Sequence, residues 1–195
     1  DAFFVAFRIP NTFRRLFSEG TFNAAFVPSY SSELNLGKKR SQKFANKIFN
    51  LLLISLLLIV LIIEIFMPSF VFIIAPGFTE NSDKLDLTIS LTRVTFPFLL
   101  FVSLSSFFSA ILNSHNKFAA AAATPIILNI FLILILFFQS YLNDQLVFYL
   151  SYAVTLAGIV QLIFLLFFVR KFYFPTINLN FKIDNKVKLF FNKLL

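Results

Sequence analysis

Residues 118–143 read FAAAAATPIILNIFLILILFFQSYLN, twenty-six consecutive positions without a charged side chain. About 20 apolar residues in a helix span the hydrocarbon core of a bilayer, so this stretch is long enough to cross a membrane. Residues 145–169 and 94–112 are also uncharged, over twenty-five and nineteen positions, and residues 48–63 add sixteen more. Because backbone in lipid must satisfy its hydrogen bonds within its own segment, these runs predict transmembrane helices.

The composition supports a membrane protein and argues against several other classes. The chain is 58% hydrophobic and 13% charged, whereas soluble domains are about 45–50% apolar and about 25% charged. It has no cysteine, one histidine and four glycines, which argues against a disulfide framework, a His-rich metal centre, a glycine-rich phosphate loop and a catalytic triad. We therefore expect no enzyme activity and no cofactor.

The basic residues lie between the apolar runs, and their distribution predicts the orientation of the helices. Twelve Lys and Arg fall on one side of the predicted membrane segments, against Lys84 alone on the other side. Cytoplasmic loops carry an excess of Lys and Arg, so the basic side is assigned to the cytoplasm. The same pattern explains the formal net charge of +8 without a nucleic-acid partner. The sequence thus predicts an all-α polytopic membrane bundle with helices at about 1–31, 46–67, 86–113, 118–140 and 146–169. Residues 170–195 are predicted to form a cytoplasmic interfacial tail of this single, partial transmembrane domain.

The first predicted helix differs from the others because charged residues interrupt it. At about 100° per residue, one set of its polar side chains falls within about 40° of one meridian; the set is Asp1, Arg8, Thr12, Arg15, Glu19 and Asn23. Phe3, Phe13 and Phe17 fall on the other side. This pattern predicts a transmembrane helix with one wet, charged face and a possible kink at Pro10. We call this set the polar stripe.

The polar stripe and its neighbour Arg14 are the candidate site. Ionisable groups inside a membrane segment cost a few kcal/mol each, so they face a water-filled cavity or pair with one another. Arg15 and Glu19 are spaced to pair along the helix, yet Arg8, Arg14 and Arg15 leave a surplus of positive charge. Guanidinium groups suit phosphate and carboxylate, which predicts an anionic substrate. The alternative is that Arg14 and Arg15 snorkel or pair with acids on other helices. His115 follows an apolar run beside Asn116 and is expected to be solvated.

Several motifs resemble one known family. They are residues 1–11 (DAFFVAFRIPN), 14–20 (RRLFSEG), 25–28 (AFVP), 75–78 (APGF), 93–97 (RVTFP) and 110–113 (AILN). In this order and spacing they resemble the lipid II flippases called MurJ or MviN, of the multidrug/oligosaccharidyl-lipid/polysaccharide exporter superfamily, from the second transmembrane helix to just before the seventh. The resemblance covers nearly the whole chain, which we expect to be part of a longer protein.

The resemblance implies more than the residues alone. Members of the family have fourteen transmembrane helices in two lobes around a central cavity, of which about five would lie in this chain. They are multi-pass proteins of the bacterial cytoplasmic (inner) membrane and move undecaprenyl-diphosphate-linked peptidoglycan precursor, lipid II, to the outer leaflet by alternating access. Their charged cavity residues match Asp1, Arg14 and Arg15, with Arg8 and Glu19 in supporting positions. The implied partners are lipid II and membrane lipids, with a monomeric transporter.

Three other functions stay open on the sequence. A relative in the same superfamily could export another polyprenyl-linked oligosaccharide or a drug with few changes visible in this part of the chain. A non-transporting membrane scaffold for cell-wall enzymes would not need the polar stripe. A membrane glycosyltransferase would need a metal or acid cluster, for which Glu80, Asp83 and Asp86 are a sparse basis.

Overall fold

The computed structural model describes residues 1–19, 21–78, 81–142 and 145–177, with side chains except at positions 9, 13–19 and 21. The elements are helical: α1 (Ala2–Glu19), α2 (Thr21–Asn35), α3 (Lys38–Ile65), α4 (Met67–Ile74), a 3-10 turn (Pro76–Phe78), α5 (Ser82–Thr95), α6 (Phe98–Ser114), α7 (Phe118–Phe137), α8 (Gln139–Leu142) and α9 (Leu146–Val169). The described part of the chain contains no strand, in agreement with the all-α class predicted from the apolar runs.

Helix α3 begins at Lys38, eight residues before the expected start of the second predicted helix. Gly37 has a φ of 125°, a conformation that glycine adopts without steric cost, and it separates α2 from α3. The basic run from Lys38 to Lys47 is therefore helical. With 28 residues, α3 is about 42 Å long, so it exceeds a hydrocarbon core of about 30 Å and its basic turns project beyond the core.

Prolines shape two other boundaries. Pro97 lies between α5 and α6, where the proline interrupts the helix. Beyond α3, Pro68 occupies the first turn of the short helix α4, where its missing N–H costs nothing, and Pro76 opens the 3-10 turn.

In the described part of the chain, four helices or helix pairs are long and apolar enough to cross a membrane: Lys38–Ile65, Ser82–Ser114, Phe118–Phe137 and Leu146–Val169. The predicted first membrane helix is not among them, and its interrupting charges lower its hydropathy. Large side chains such as Ile62, Ile133 and Phe137 are exposed on α3 and α7. Since so much apolar surface is unfavourable in water, these faces suit contact with lipid or with other membrane helices.

Helix α6 lies at the centre of the bundle, and most of its residues are buried. Phe107 packs against Phe26 of α2, with ring centroids 5.1 Å apart, and Phe49 of α3 lies 5.8 Å away on another side. Gly158 of α9 lets the two backbones approach, because a Cβ built there would lie 2.6 Å from Cδ2 of Phe98. The fold thus wraps α1, α2, α3, α7 and α9 around a core helix, and α1 lies at one side of it.

Candidate substrate-facing helix

The apolar face of α1 packs against α5 and α6. Ala2 and Ala6 are buried together with Leu91 of α5, and the ring of Phe7 lies 6.2 Å from that of Phe98 at the start of α6. The buried hydroxyl of Thr95 donates a hydrogen bond of 3.0 Å to the carbonyl of Ala6. Small residues at this contact allow close approach, and the threonine adds a polar tie between the helices.

Three described members of the polar stripe lie away from Ala2 and Ala6, whereas Asn23 of α2 is partly buried. Asp1, Arg8 and Thr12 are exposed, and the Thr12 hydroxyl donates to the carbonyl of Arg8 at 2.9 Å. The carboxylate of Asp1 lies 3.3 Å from the ammonium of Lys84, and 81% of its side chain is still exposed. One face of α1 therefore anchors the helix to the bundle and leaves the opposite, charged face open.

Three predicted site residues have only their backbone in the described part of the structure. The backbone of Arg14, Arg15 and Glu19 belongs to α1, but their side chains lie outside the described residues. The helical register places Arg15 two turns beyond Arg8, on nearly the same meridian. Their assignment as anion ligands or cavity charges remains a prediction, as does that of Asp1 and Arg8.

Uncharged polar side chains surround a cavity of about 380 Å³. It lies between α2, α6, α7 and α9, and its polar wall includes Asn23, Ser105, Ser109, Asn113 and Gln161. We did not predict this cavity from the sequence. A signal for it is present, because the three α6 residues follow one another at intervals of four and so share one helix face. Hydroxyl and amide groups in a space of this size can hold water, but they provide no charge for acid–base chemistry.

His115 is partly buried and packed against other rings, so the prediction of a solvated side chain was wrong. Its ring stacks on Phe172 with 4.3 Å between the ring centroids, and its Nε2 lies 3.2 Å from the hydroxyl of Tyr30. Burial, and then the positive charge of Lys38, lower the pKa of His115 below its usual value. The chain that follows α9 returns over this end of the bundle and covers the imidazole, which sequence patterns cannot indicate.

Because the chain turns back after α9, basic residues from three parts of the sequence lie at the same end of the bundle. Lys38 begins α3, Lys117 directly precedes α7, and Lys171 follows α9. Lys117 and Lys171 line one groove, and the charge of Lys38 acts on His115 beside them. We call this the basic end of the bundle; Asp1 and Lys84 lie at the start of α1 and of α5, away from it. Within the described ranges, no three His, Asp or Glu side chains lie close enough to hold a metal ion.

Comparison with known proteins identifies relatives of the whole chain. The model of the family described as "Lipid II flippase MurJ" matches residues 1–195. The chain is 40% identical over 180 residues to a "Probable lipid II flippase MurJ" of Rickettsia prowazekii, which covers 91% of this chain and 35% of the relative. It is 46% identical over 167 residues to the protein of the same description from Rhizobium tropici, covering 83% of this chain and 31% of the relative.

A solved structure has the same fold. It is described as "Lipid II flippase MurJ, inward closed conformation" and matches with a TM-score of 0.76 at 27% identity, over 100% of this chain and 40% of that chain. The present chain thus spans about a third of the length of the curated relatives it matches. With its four membrane-length helices, it is a multi-pass protein of the bacterial inner membrane. The chain belongs to the lipid II flippase MurJ family.

Proposed function

We propose that the protein moves lipid II from the inner to the outer leaflet of the cytoplasmic membrane by alternating access, as a transporter without enzyme activity. The observation that carries the proposal is the division of α1 into two faces. Its apolar face is anchored through Ala6 and Thr95, whereas Asp1, Arg8 and Thr12 are exposed on the other face. Charge held this way by a membrane protein serves a water-filled path rather than lipid contact.

The proposed substrate fits the chemistry of the basic side chains. Lipid II carries a diphosphate and peptide carboxylates, and a guanidinium fork binds such groups through paired, charge-assisted hydrogen bonds. We propose Arg14 and Arg15 as its anion ligands, with Arg8 in support. Asp1 and Glu19 would repel the negatively charged head group of lipid II and so limit its affinity for the arginines. The proposed unit is a monomer in contact with membrane lipids, and no nucleic-acid partner is invoked.

Complementation tests the function and the residues together. The complete gene product is expressed in bacteria depleted of their own lipid II flippase, and exposure of the precursor at the outer surface is measured. We expect rescue by the unaltered protein and loss of rescue in Arg14→Ala/Arg15→Ala at equal abundance in the membrane. Arg40→Ala is the matched control, because it removes an exposed arginine of α3 outside the polar stripe.

Two further results would redirect the proposal. Arg14→Lys/Arg15→Lys keeps both charges but loses the planar fork, so partial rescue is expected if paired hydrogen bonds to phosphate matter. Export that survives the double alanine change would contradict the site assignment. Failure of the unaltered protein to rescue, despite correct insertion, would instead favour export of another polyprenyl-linked oligosaccharide.

A further inference from the structure

Residues 170–177, here called the strap, run back over the basic end of the bundle after α9 ends. The backbone N–H groups of Phe172 and Tyr173 both donate to the carbonyl of Val169 at 2.9 Å, which turns the chain. Tyr173 is then only 1% exposed, and its ring packs edge-on against Phe107 of α6, with 5.9 Å between centroids. Tyr173 therefore anchors the strap in the core.

Asn46 of α3 holds the strap through three hydrogen bonds. Its Oδ1 accepts from the hydroxyl of Tyr173 at 2.6 Å and from the backbone N–H of Thr176 at 3.2 Å. Its Nδ2 donates to the hydroxyl of Thr176 at 2.6 Å. One turn further along α3, Nδ2 of Asn50 donates to the carbonyl of Thr176 at 3.0 Å. A single amide thus satisfies a buried phenol and both polar groups that Thr176 directs toward it.

A second attachment joins the strap to α2 and to the end of α6. The Phe172 ring stacks on His115, whose Nε2 lies within hydrogen-bond distance of the Tyr30 hydroxyl. Nε2 of Gln42, one turn before Asn46, donates to the carbonyl of Phe172 at 3.4 Å. The strap consequently connects α2, α3, α6 and α9 at one end.

The hydrogen bond from Tyr173 to Asn46 stabilises the strap because the Tyr173 hydroxyl is buried. Burial, and then the neighbouring Tyr30, raise the pKa of Tyr173, so its hydroxyl stays a neutral donor at physiological pH. A buried hydroxyl without an acceptor is costly, because it has lost water without gaining a partner. Removing the Asn46 amide leaves that hydroxyl unpaired and removes two of the three hydrogen bonds that hold Thr176, so that only the bond from Asn50 remains.

We propose that Asn46 is a positioning residue that clamps the strap, so that the basic ends of α2, α3, α6 and α9 move as one body. The consequence for transport rests on the proposed function, since alternating access requires a lobe that moves without deforming. The clamp itself rests on the hydrogen bonds alone.

The clamp is tested directly by measuring motion of the strap in the complete gene product in lipid nanodiscs. Phe174 is 70% exposed, and residues 1–195 contain no cysteine. Once any cysteine elsewhere in the complete gene product has been replaced, a spin label at Phe174→Cys reports on the strap with little disturbance. We expect an immobilised label in the unaltered protein and a mobile one after Asn46→Ala. Hydrogen exchange of the peptide covering residues 170–177 should speed up by at least about tenfold, as expected when the three hydrogen bonds of the Asn46 side chain are lost.

Three variants separate the clamp from general damage. Asn46→Asp keeps both acceptor contacts and should restore slow exchange. Thr176→Val removes only the hydroxyl at an exposed position and should loosen the strap with little risk to folding. Asn129→Ala changes an exposed asparagine of α7 and should change nothing. A strap that stays immobile and slowly exchanging in both Asn46→Ala and Thr176→Val would overturn the clamp.

Transport supplies the second readout. In the complementation assay, Asn46→Ala should lower precursor export several-fold while binding of lipid II to the purified protein is retained, and Asn46→Asp should recover export. A mobile strap with unchanged export would refute the positioning role. If the unaltered protein exports no lipid II, the proposed function fails, whereas the spin-label and exchange measurements still decide whether Asn46 clamps the strap.

Discussion

Replacing Gly158 is the sharpest test of how α9 packs against α6. A Cβ at this position would lie 2.6 Å from Cδ2 and 3.1 Å from Cε2 of Phe98, and 3.2 Å from Cβ of Phe101. Carbon atoms in favourable contact are about 3.5–4.0 Å apart, so the ring must move by about 1 Å. Phe98 is fully buried and has little room to do so.

The size of the effect follows from two opposing contributions. An extra methyl group in a packed core costs about 1–3 kcal/mol, while replacing a helical glycine by alanine gains up to about 1 kcal/mol. For Gly158→Ala we therefore expect a net loss of about 1 kcal/mol in the free energy of unfolding. Gly158→Val adds two more methyl groups with a smaller propensity gain, and should lose about 2–3 kcal/mol.

The free energy of unfolding would be measured by SDS titration of the protein in mixed micelles. Gly77→Ala is the matched control, because nothing lies within 4 Å of its added Cβ, and it should stay within about 0.5 kcal/mol of the unaltered protein. Adding Phe98→Leu to Gly158→Val should recover part of the loss, since it replaces the rigid ring by a smaller side chain whose methyl groups can rotate away from the new valine.

Equal stability of the glycine, alanine and valine forms would refute the reasoning. So would a Gly158→Val/Phe98→Leu protein whose loss is the simple sum of the two single losses. In either case the distance between α6 and α9 would be larger than described, and Gly158 would have no packing role.

Three smaller effects follow from individual side chains. The pKa of His115 is lowered in the folded state, so the unfolded chain binds a proton on this residue more readily. The protein therefore has the full His115 contribution to its stability above about pH 6.5 and loses that contribution as the pH falls through the pKa of the folded state. Free energies of unfolding measured between pH 8 and 5 would detect this loss. Thr95→Val removes the buried hydrogen bond to the carbonyl of Ala6 and should cost about 0.6 kcal/mol in the SDS titration, a typical value for such bonds in membrane proteins. Lys84→Ala breaks an exposed ion pair with Asp1 and should cost less than about 0.5 kcal/mol at moderate salt.

Each of these effects has a control. His115→Gln should remove the histidine contribution to the acid sensitivity and leave that of the carboxylates, so identical pH profiles would contradict the lowered pKa. Thr124→Val loses a hydroxyl that bonds only within its own helix, to Ala121, and should cost less than Thr95→Val. The ammonium of Lys84 also lies 4.1 Å from the centre of the Phe78 ring, so Asp1→Asn is the control for Lys84→Ala. A loss above about 1 kcal/mol shared by both variants would mean that the ion pair is less solvated than its exposure indicates.

The helices could be predicted from the sequence because their signals are local. An uncharged apolar run needs no knowledge of its neighbours to be assigned to a membrane, and Pro97 interrupts a helix wherever the chain goes next. The start of α3 was misplaced because the basic run after Gly37 was taken as a loop. Lysine and arginine are good helix formers, so charge alone does not distinguish a loop from a helix that projects beyond the membrane.

The strap could not be predicted because it depends on contacts between distant parts of the chain. Tyr173 and Thr176 meet Asn46 across about 130 residues, and nothing near His115 in sequence indicates that Phe172 will cover it. A partial signal does exist. Gln42, Asn46 and Asn50 recur every four residues along α3, and such a polar row at the edge of an apolar run indicates a partner of some kind.

The central position of α6 has a consequence for how the chain enters the membrane. Of the four spans, Ser82–Ser114 is the least hydrophobic and the most buried, whereas Phe118–Phe137 is more hydrophobic and hardly buried. Insertion of a nascent helix depends on its own hydrophobicity, to which serine and threonine contribute little. Of these four spans, the one that contains α6 is therefore expected to insert least readily on its own. It reaches its place between two more lipophilic neighbours, α3 made before it and α7 made after it, so changes that make either neighbour more polar should impair the biogenesis of α6 as well.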